Sequence, residues 1–251
     1  MEPLNVEHAG RTLRGVLHLP HPHRAPVPAV VLCHGFGANR MEFGNIFVRL
    51  ARNLAERGVA ALRFDFAACG ESDGDFAELT VSDQVDQVGA VLARLAAHSA
   101  VLPEQLSLLG MSLGGLTASL AAAVYPVRSL ALWAPAALAV DANEPAEDAY
   151  WPEIAEQGYQ DLGGTPVTRR FAEDGFGIDP WADAAPYTGP VLLASGTEDE
   201  LLPEDVLDNY RRTYGDRLEL HLFEDLDHCF ETVPARAGLL DLTTEFLLRN
   251  A

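Results

Sequence analysis

A short apolar run, Leu106-Ser107-Leu108-Leu109, leads directly into Gly110-Met111-Ser112-Leu113-Gly114, and an alanine- and glycine-rich stretch to Val124 follows. That order reads as a buried strand, a tight turn and a helix, and it constrains the chain more than any other feature. A strand this short and apolar belongs inside a sheet covered on both faces. A sharp strand-to-helix turn lifts the Ser112 hydroxyl above the sheet, and flanking glycines relieve the crowded backbone. The helix N-terminus beyond it favours the negative charge that acyl transfer develops on oxygen. The bland alternative is a plain glycine-rich turn, against which the flanking strand and helix argue.

Around this unit, strand patterns alternate with helical ones, the mark of a mostly parallel sheet between helices. Leu4–His8 and Arg11–Leu19 read as an antiparallel pair turned at Ala9-Gly10. Further strands are expected at Ala29–Cys33, Val59–Phe64, Leu106–Leu109, Leu130–Trp133, Val191–Ser195 and Leu218–Phe223. Helices are expected at Ile46–Arg57 (stopped by Gly58), Ser82–His98, Leu113–Val124, Glu204–Tyr214 and Ala235–Arg249. The fold class is therefore α/β, an eight-stranded sheet with helices on both faces. Residues 1–251 read as one domain, since α/β folds often run this long undivided. Only about 135–189 breaks the alternation, with Gly, Pro, acidic residues and scattered aromatics but no sustained period. Long irregular segments inside a domain are usually lids or binding loops, so this one reads as a small inserted cap.

Composition narrows the chemistry. The net charge is −20, and all 17 basic residues are arginine. Such a surface repels nucleic acid and anionic membranes, and its acidity is read as serving solubility rather than high-salt adaptation. No run of about 18 apolar residues is present to span a membrane, and the N-terminus lacks a secretory signal pattern. The 3 cysteines, Cys33, Cys69 and Cys229, are an odd number without paired spacing, which fits a reducing compartment and a cytoplasmic location. No His-Glu-x-x-His pattern occurs, and His18, His21 and His23 read as a solvated proline-rich loop rather than a metal site. No metal and no cofactor are expected.

A serine hydroxyl needs a base to take its proton. In strand-turn-helix sites of this kind, acid and histidine follow the serine in chain order. His228, in Asp227-His228-Cys229-Phe230, lies just beyond the last strand. The acid is expected after Val191–Ser195, where Glu198, Asp199 and Glu200 stand in a row. Asp199 is preferred, with its two neighbours as rivals. His34-Gly35-Phe36-Gly37 follows the first parallel strand, so the backbone N–H groups of Phe36 and Leu113 are the expected oxyanion donors. His34 comes too early for a base and is given a structural role. Asp65 and Cys69 are expected to brace a turn.

These motifs resemble the α/β-hydrolase superfamily across the whole chain, and within it the bacterial cinnamoyl and feruloyl esterases. The resemblance rests on His34–Phe36, Arg63–Phe66, Gly70–Gly74, Ala134–Ala137, Asp227–Phe230 and Leu242–Phe246. It implies the α/β-hydrolase fold, serine-esterase activity and the triad Ser112, Asp199 and His228. It also implies that an aspartate early in the cap, matched by Asp141 with one gap, holds a phenolic ring. The family's tyrosine after Leu162-Gly163-Gly164 is missing, because Thr165-Pro166 stands there; Tyr150, Trp151 and Tyr159 lie nearby, and Tyr159 is taken as the substitute. The expected function is a carboxylic-ester hydrolase for small aryl, feruloyl-type or short-chain esters. Its expected partner is that small-molecule ester, with no nucleic acid and no membrane; a homodimer is allowed. A thioesterase, a monoacylglycerol lipase or a small peptidase is the alternative on this scaffold, and a non-catalytic binder is the distant one.

Overall fold

The structure is a computed structural model and describes residues 1–22, 25–140 and 152–251. The opening segment holds β1 (Glu2–Pro3), β2 (Val6–His8), β3 (Arg11–Leu13) and β4 (Gly15–His18). It is the expected hairpin split in two: β2 pairs β3 around Ala9-Gly10, while β1 pairs β4 in the main sheet. Then come β5 (Val27–Cys33), α1 (Ile46–Glu56), β6 (Ala60–Phe64), α2 (Val81–Ala96), β7 (Val101–Met111), α3 (Leu113–Val124) and β8 (Leu130–Trp133). After the intervening segment described below, β11 (Val191–Gly196), α6 (Glu204–Tyr214), β12 (Leu218–Phe223) and α7 (Val233–Arg249) close the chain.

The main sheet has eight strands in the order β1-β4-β6-β5-β7-β8-β11-β12. All neighbours from β6 to β12 run parallel, and only β1 and β4 are antiparallel. Helices cover both faces, α1 packing with α7 and α2 with α3. The central strands read as unbroken apolar runs because both of their faces are buried. Alternation with solvent-facing residues is absent there: Ala29 to Cys33 and Leu130 to Trp133 are all essentially inaccessible. This is the α/β-hydrolase fold, with the carboxyl ends of β5, β7, β11 and β12 gathered on one edge.

Two expectations change. The histidine-bearing segment before β5 is not uniformly solvated: His18 ends β4 opposite Ala61 and is only 4% exposed. Its Nε2 accepts a hydrogen bond from Arg63 Nε at 3.1 Å, and burial holds the ring neutral by lowering its pKa to about 4. His23 lies outside the described residues.

The stretch between β8 and β11 is more regular than its sequence suggested. Its described part holds a 3₁₀ turn (Ala137–Ala139), α4 (Pro152–Gln157), the antiparallel strands β9 (Tyr159–Leu162) and β10 (Thr165–Thr168), and α5 (Arg169–Gly175). Leu162 pairs Thr165, which leaves Gly163 and Gly164 as a two-residue loop, both at positive φ of 62° and 86°. Tight hairpins demand that backbone, and glycine adopts it without cost.

Candidate active site

The elbow after β7 is built by contact, not only by turn preference. A Cβ on Gly110 would run into the carbonyl of Gly114, and one on Gly114 would run into the Cys33 and His34 carbonyls. The turn therefore closes only with glycine at both places and with β5 alongside. Ser112 sits between them at φ 54°, ψ −121°, a conformation rare outside glycine, and starts α3. Such backbone strain costs on the order of 1–3 kcal/mol and persists only where the surroundings hold it. Here the Ser112 N–H bonds the Trp133 carbonyl at 2.9 Å, and the Ser112 carbonyl accepts from Ala136 at 3.0 Å.

His228 reaches the serine from the loop after β12. Its Nε2 lies 2.9 Å from Ser112 Oγ and its Nδ1 2.9 Å from Asp199 Oδ2. A carboxylate only accepts, so Nδ1 carries the proton and Nε2 is left to accept the serine O–H. Asp199 is 5% exposed, whereas Glu198 and Glu200 on either side face solvent. Of the three acids, the structure brings Asp199 alone to the imidazole. Its Oδ1 accepts from Leu201 N–H at 3.0 Å, and its Oδ2 also accepts from Ser195 Oγ at 3.1 Å. The acid and histidine loops are joined to each other: Glu198 N–H bonds the Leu226 carbonyl at 2.9 Å, and Asp225 N–H bonds Thr197 Oγ1 at 3.0 Å.

The loop after β5 supplies the remaining side. His34 is buried; its Nε2 accepts from Phe66 N–H at 3.1 Å and its Nδ1 lies 2.8 Å from the Gly35 carbonyl. Burial lowers its pKa, so it stays neutral and shapes the loop. Among the described residues, neither the Phe36 N–H nor the Leu113 N–H has an acceptor. Unspent donors beside a serine are what an oxyanion needs. Asp65, fully buried, braces two turns at once, accepting from Arg40 N–H at 2.6 Å, from the Arg40 guanidinium and from Glu71 N–H at 3.0 Å. The thiols are unpaired: burial pushes Cys69 up to about 12, and burial with nearby carboxylates raises Cys229, beside His228, above its ordinary value. Protonated at neutral pH, Cys229 is no rival nucleophile.

A cavity of about 340 Å³ opens from Ser112 toward the roof formed by the segment after β8. Among the described residues its lining apart from Ser112 is apolar, with Phe36, Leu113, Val140, Val167, Phe171 and Leu201 contributing. Tyr159 is not among the lining residues and is 41% exposed. The reason is register: side chains alternate along a strand, so Leu162, which does line the cavity, and Tyr159 fall on opposite faces of β9. Asp141, Tyr150 and Trp151 lie outside the described residues. Sequence reasoning missed Ser195, hidden inside a buried strand, and Glu42, whose carboxylate accepts from the Gly35 N–H at 2.8 Å. Among the described residues, no group of three or more His, Cys, Asp or Glu is placed to hold a metal ion, and no helix is long and apolar enough to cross a membrane.

The fold defines a member of a large hydrolase architecture. The chain belongs to the alpha/beta hydrolase family, whose model matches residues 30–237. Among solved structures it is similar to Est1E from Butyrivibrio proteoclasticus with bound ferulic acid, at TM-score 0.85 and 24% identity over 98% of both chains. A putative hydrolase from Agrobacterium vitis S4 superposes at TM-score 0.79 with 22% identity, again over 98% of each chain. At these identities the likeness concerns the fold. Curated relatives match over shorter stretches: a polyketide transferase of Stachybotrys chlorohalonatus is 34% identical over 128 residues, 51% of this chain and 41% of that protein. An uncharacterized 31.7 kDa protein of Escherichia coli is 32% identical over 89 residues, 35% of this chain and 30% of its own length.

Proposed function

We propose that the protein is a carboxylic-ester hydrolase working through an acyl-enzyme. The observation that carries this reading is the pair of 2.9 Å contacts linking Asp199, His228 and Ser112. Ser112 Oγ attacks the ester carbonyl while His228 Nε2 takes its proton. The oxyanion rests on the Phe36 and Leu113 amides, and Asp199 stabilises the imidazolium through Nδ1. His228 then hands its proton to the departing alcohol. Water, deprotonated by the same nitrogen, releases the acid and restores Ser112.

The apolar cavity of about 340 Å³ supports an uncharged acyl group, a short chain or a feruloyl-type aryl group. The aryl choice also draws on Est1E, which holds ferulic acid on the same fold. In this aryl reading, the phenolic hydroxyl is assigned to Asp141 of the present chain. Initial rates on methyl ferulate beside p-nitrophenyl esters of rising chain length test both levels. Turnover of none of them removes the esterase, and turnover of the alkyl esters alone removes the aryl preference. Asp141→Ala is expected to lose roughly 1–3 kcal/mol on ferulate esters and almost nothing on butyrates.

The polyketide transferase relative favours a second reading, in which an alcohol rather than water takes the acyl group from Ser112. The ratio of transesterified to hydrolysed product, measured with rising alcohol concentration, separates the two.

A further inference from the structure

Among the described residues, Ser112 opens onto two spaces, not one. Besides the larger apolar cavity, a second of about 150 Å³ adjoins it, lined by Glu42, Met111, Trp133, His228 and Cys229 among others. His228 borders this smaller space and not the larger one. The group that protonates the leaving oxygen stands on the side from which the alcohol departs. The acyl chain accordingly belongs to the 340 Å³ space and the alcohol to the 150 Å³ space.

Among the described residues, Glu42 is the one carboxylate lining the alcohol side. Its backbone stands at φ 58°, ψ 170°, a region that non-glycine residues enter only when held there. One carboxylate oxygen accepts from the Gly35 N–H at 2.8 Å and the other from the Phe43 N–H at 3.1 Å. Gly35 immediately precedes Phe36, whose N–H is the proposed oxyanion donor. The carboxylate therefore tethers the peptide that leads into an oxyanion donor. Its charge is not cancelled locally. Arg236, stacked 4.8 Å over the Phe43 ring, spends its Nε–H on the Phe230 carbonyl at 3.0 Å, and among the described residues no cation pairs with Glu42.

We infer that Glu42 is a positioning and specificity residue: it holds the oxyanion loop from the leaving-group side and places a fixed negative charge beside the departing alcohol. The site then accepts neutral or cationic alcohols and discriminates against esters whose alcohol part carries a carboxylate. Apolar neighbours such as Ile46, Met111 and Trp133 screen a charge far less than water does. This inference rests on the esterase reading.

Three butyrate esters test it: n-butyl butyrate, butyrylcholine and the butyrate ester of 3-hydroxypropanoate. For the native protein, kcat/KM on the anionic ester is expected at least ~20-fold below that on the butyl ester, with the choline ester within about fivefold of it. Glu42→Gln keeps an acceptor for Gly35 but no charge, so the anionic-to-neutral gap should shrink to about threefold or less. Glu42→Ala loses the tether as well. Its kcat on the butyl ester should fall at least ~10-fold below that of Glu42→Gln, with KM little changed, because an oxyanion donor acts in the transition state. A gap that persists undiminished in Glu42→Gln overturns the role of Glu42. Failure of the native protein to hydrolyse any of the three, with Ser112 left unmodified by a serine-reactive phosphonate, overturns the esterase reading and this inference with it.

Discussion

The floor of the site and its roof are built on opposite principles. The floor, made of the turns and loops after β5, β7, β8, β11 and β12, is polar and crowded with mutual hydrogen bonds. It also concentrates strain, with Glu42, Ser112, Ala134 and Phe230 all at positive φ. The roof, as far as residues 136–140 and 152–176 describe it, turns apolar side chains to the cavity and is looser. Leu138 and Leu162 are each 45% exposed, and few polar bonds tie it down, among them Thr168 Oγ1 to the Ala77 carbonyl at 2.9 Å and Ser82 N–H to Asp174 Oδ2 at 3.0 Å. Bond-breaking tolerates errors of only a fraction of an ångström, so its groups are over-determined. Selecting an acyl group needs only shape and apolar area, which change in small increments. The floor should fail steeply when damaged, and the roof gradually.

The steepest break is at the proposed nucleophile. Ser112→Ala should fold normally and lose about 10⁴–10⁶ in kcat, and a phosphonate that labels the native protein once should no longer label it. Residual activity above a tenth of native would break the contrast outright. Next, Asp199→Asn should cost about 10⁴ through a misoriented imidazole, while Glu198→Gln and Glu200→Gln stay within about tenfold, since both face solvent. A costly Glu198 or Glu200 variant would show that the loop adopts another register at work. On the roof, Phe171→Ala should cut kcat/KM for aryl or longer acyl esters by about 10–100-fold and leave small acetates within about threefold. Equal losses on both substrates would mean that the roof also sets the chemistry. The mildest change probes the rear of the floor. Ser195→Ala removes one of the donors on Asp199 Oδ2 and should lower kcat by about tenfold, near 1.4 kcal/mol.

The same contrast decides what the sequence disclosed. The apolar runs of the central strands announce themselves, and α3 and β8 end where their patterns end. The order of Ser112, Asp199 and His228, the proposed triad, is likewise legible as chain order relative to strands. What a local pattern leaves open is the choice among Glu198, Asp199 and Glu200, which depends on which of them turns inward in three dimensions. The strand β7 begins at Val101, well before its apolar run, because Glu104 within it is exposed and reads as loop. Ser195 and Glu42 carry no motif; each matters through a partner, Asp199 and Gly35, that only folding brings near. In the roof, the two-glycine hairpin at Gly163-Gly164 was a readable signal, muted by flanking strands that are largely exposed and lack apolar alternation. Register along β9 then put Tyr159 on the wrong face, which spacing from a motif does not reveal.

The positions of the proposed acid and base in the sheet have a further consequence, in the order of events on heating. The Ser112 elbow rests on β5 and β7 at the middle of the sheet, whereas Asp199 and His228 hang from β11 and β12, the last two strands at one edge. Edges open with less free energy than centres. Warming or mild denaturant should therefore part the imidazole from the serine while the middle strands are still intact. Turnover would vanish reversibly ahead of the global melt, and amides of β12 would exchange with solvent before those of β5. Such a protein wears out from one side, and its working lifetime is set by the edge that carries no nucleophile at all.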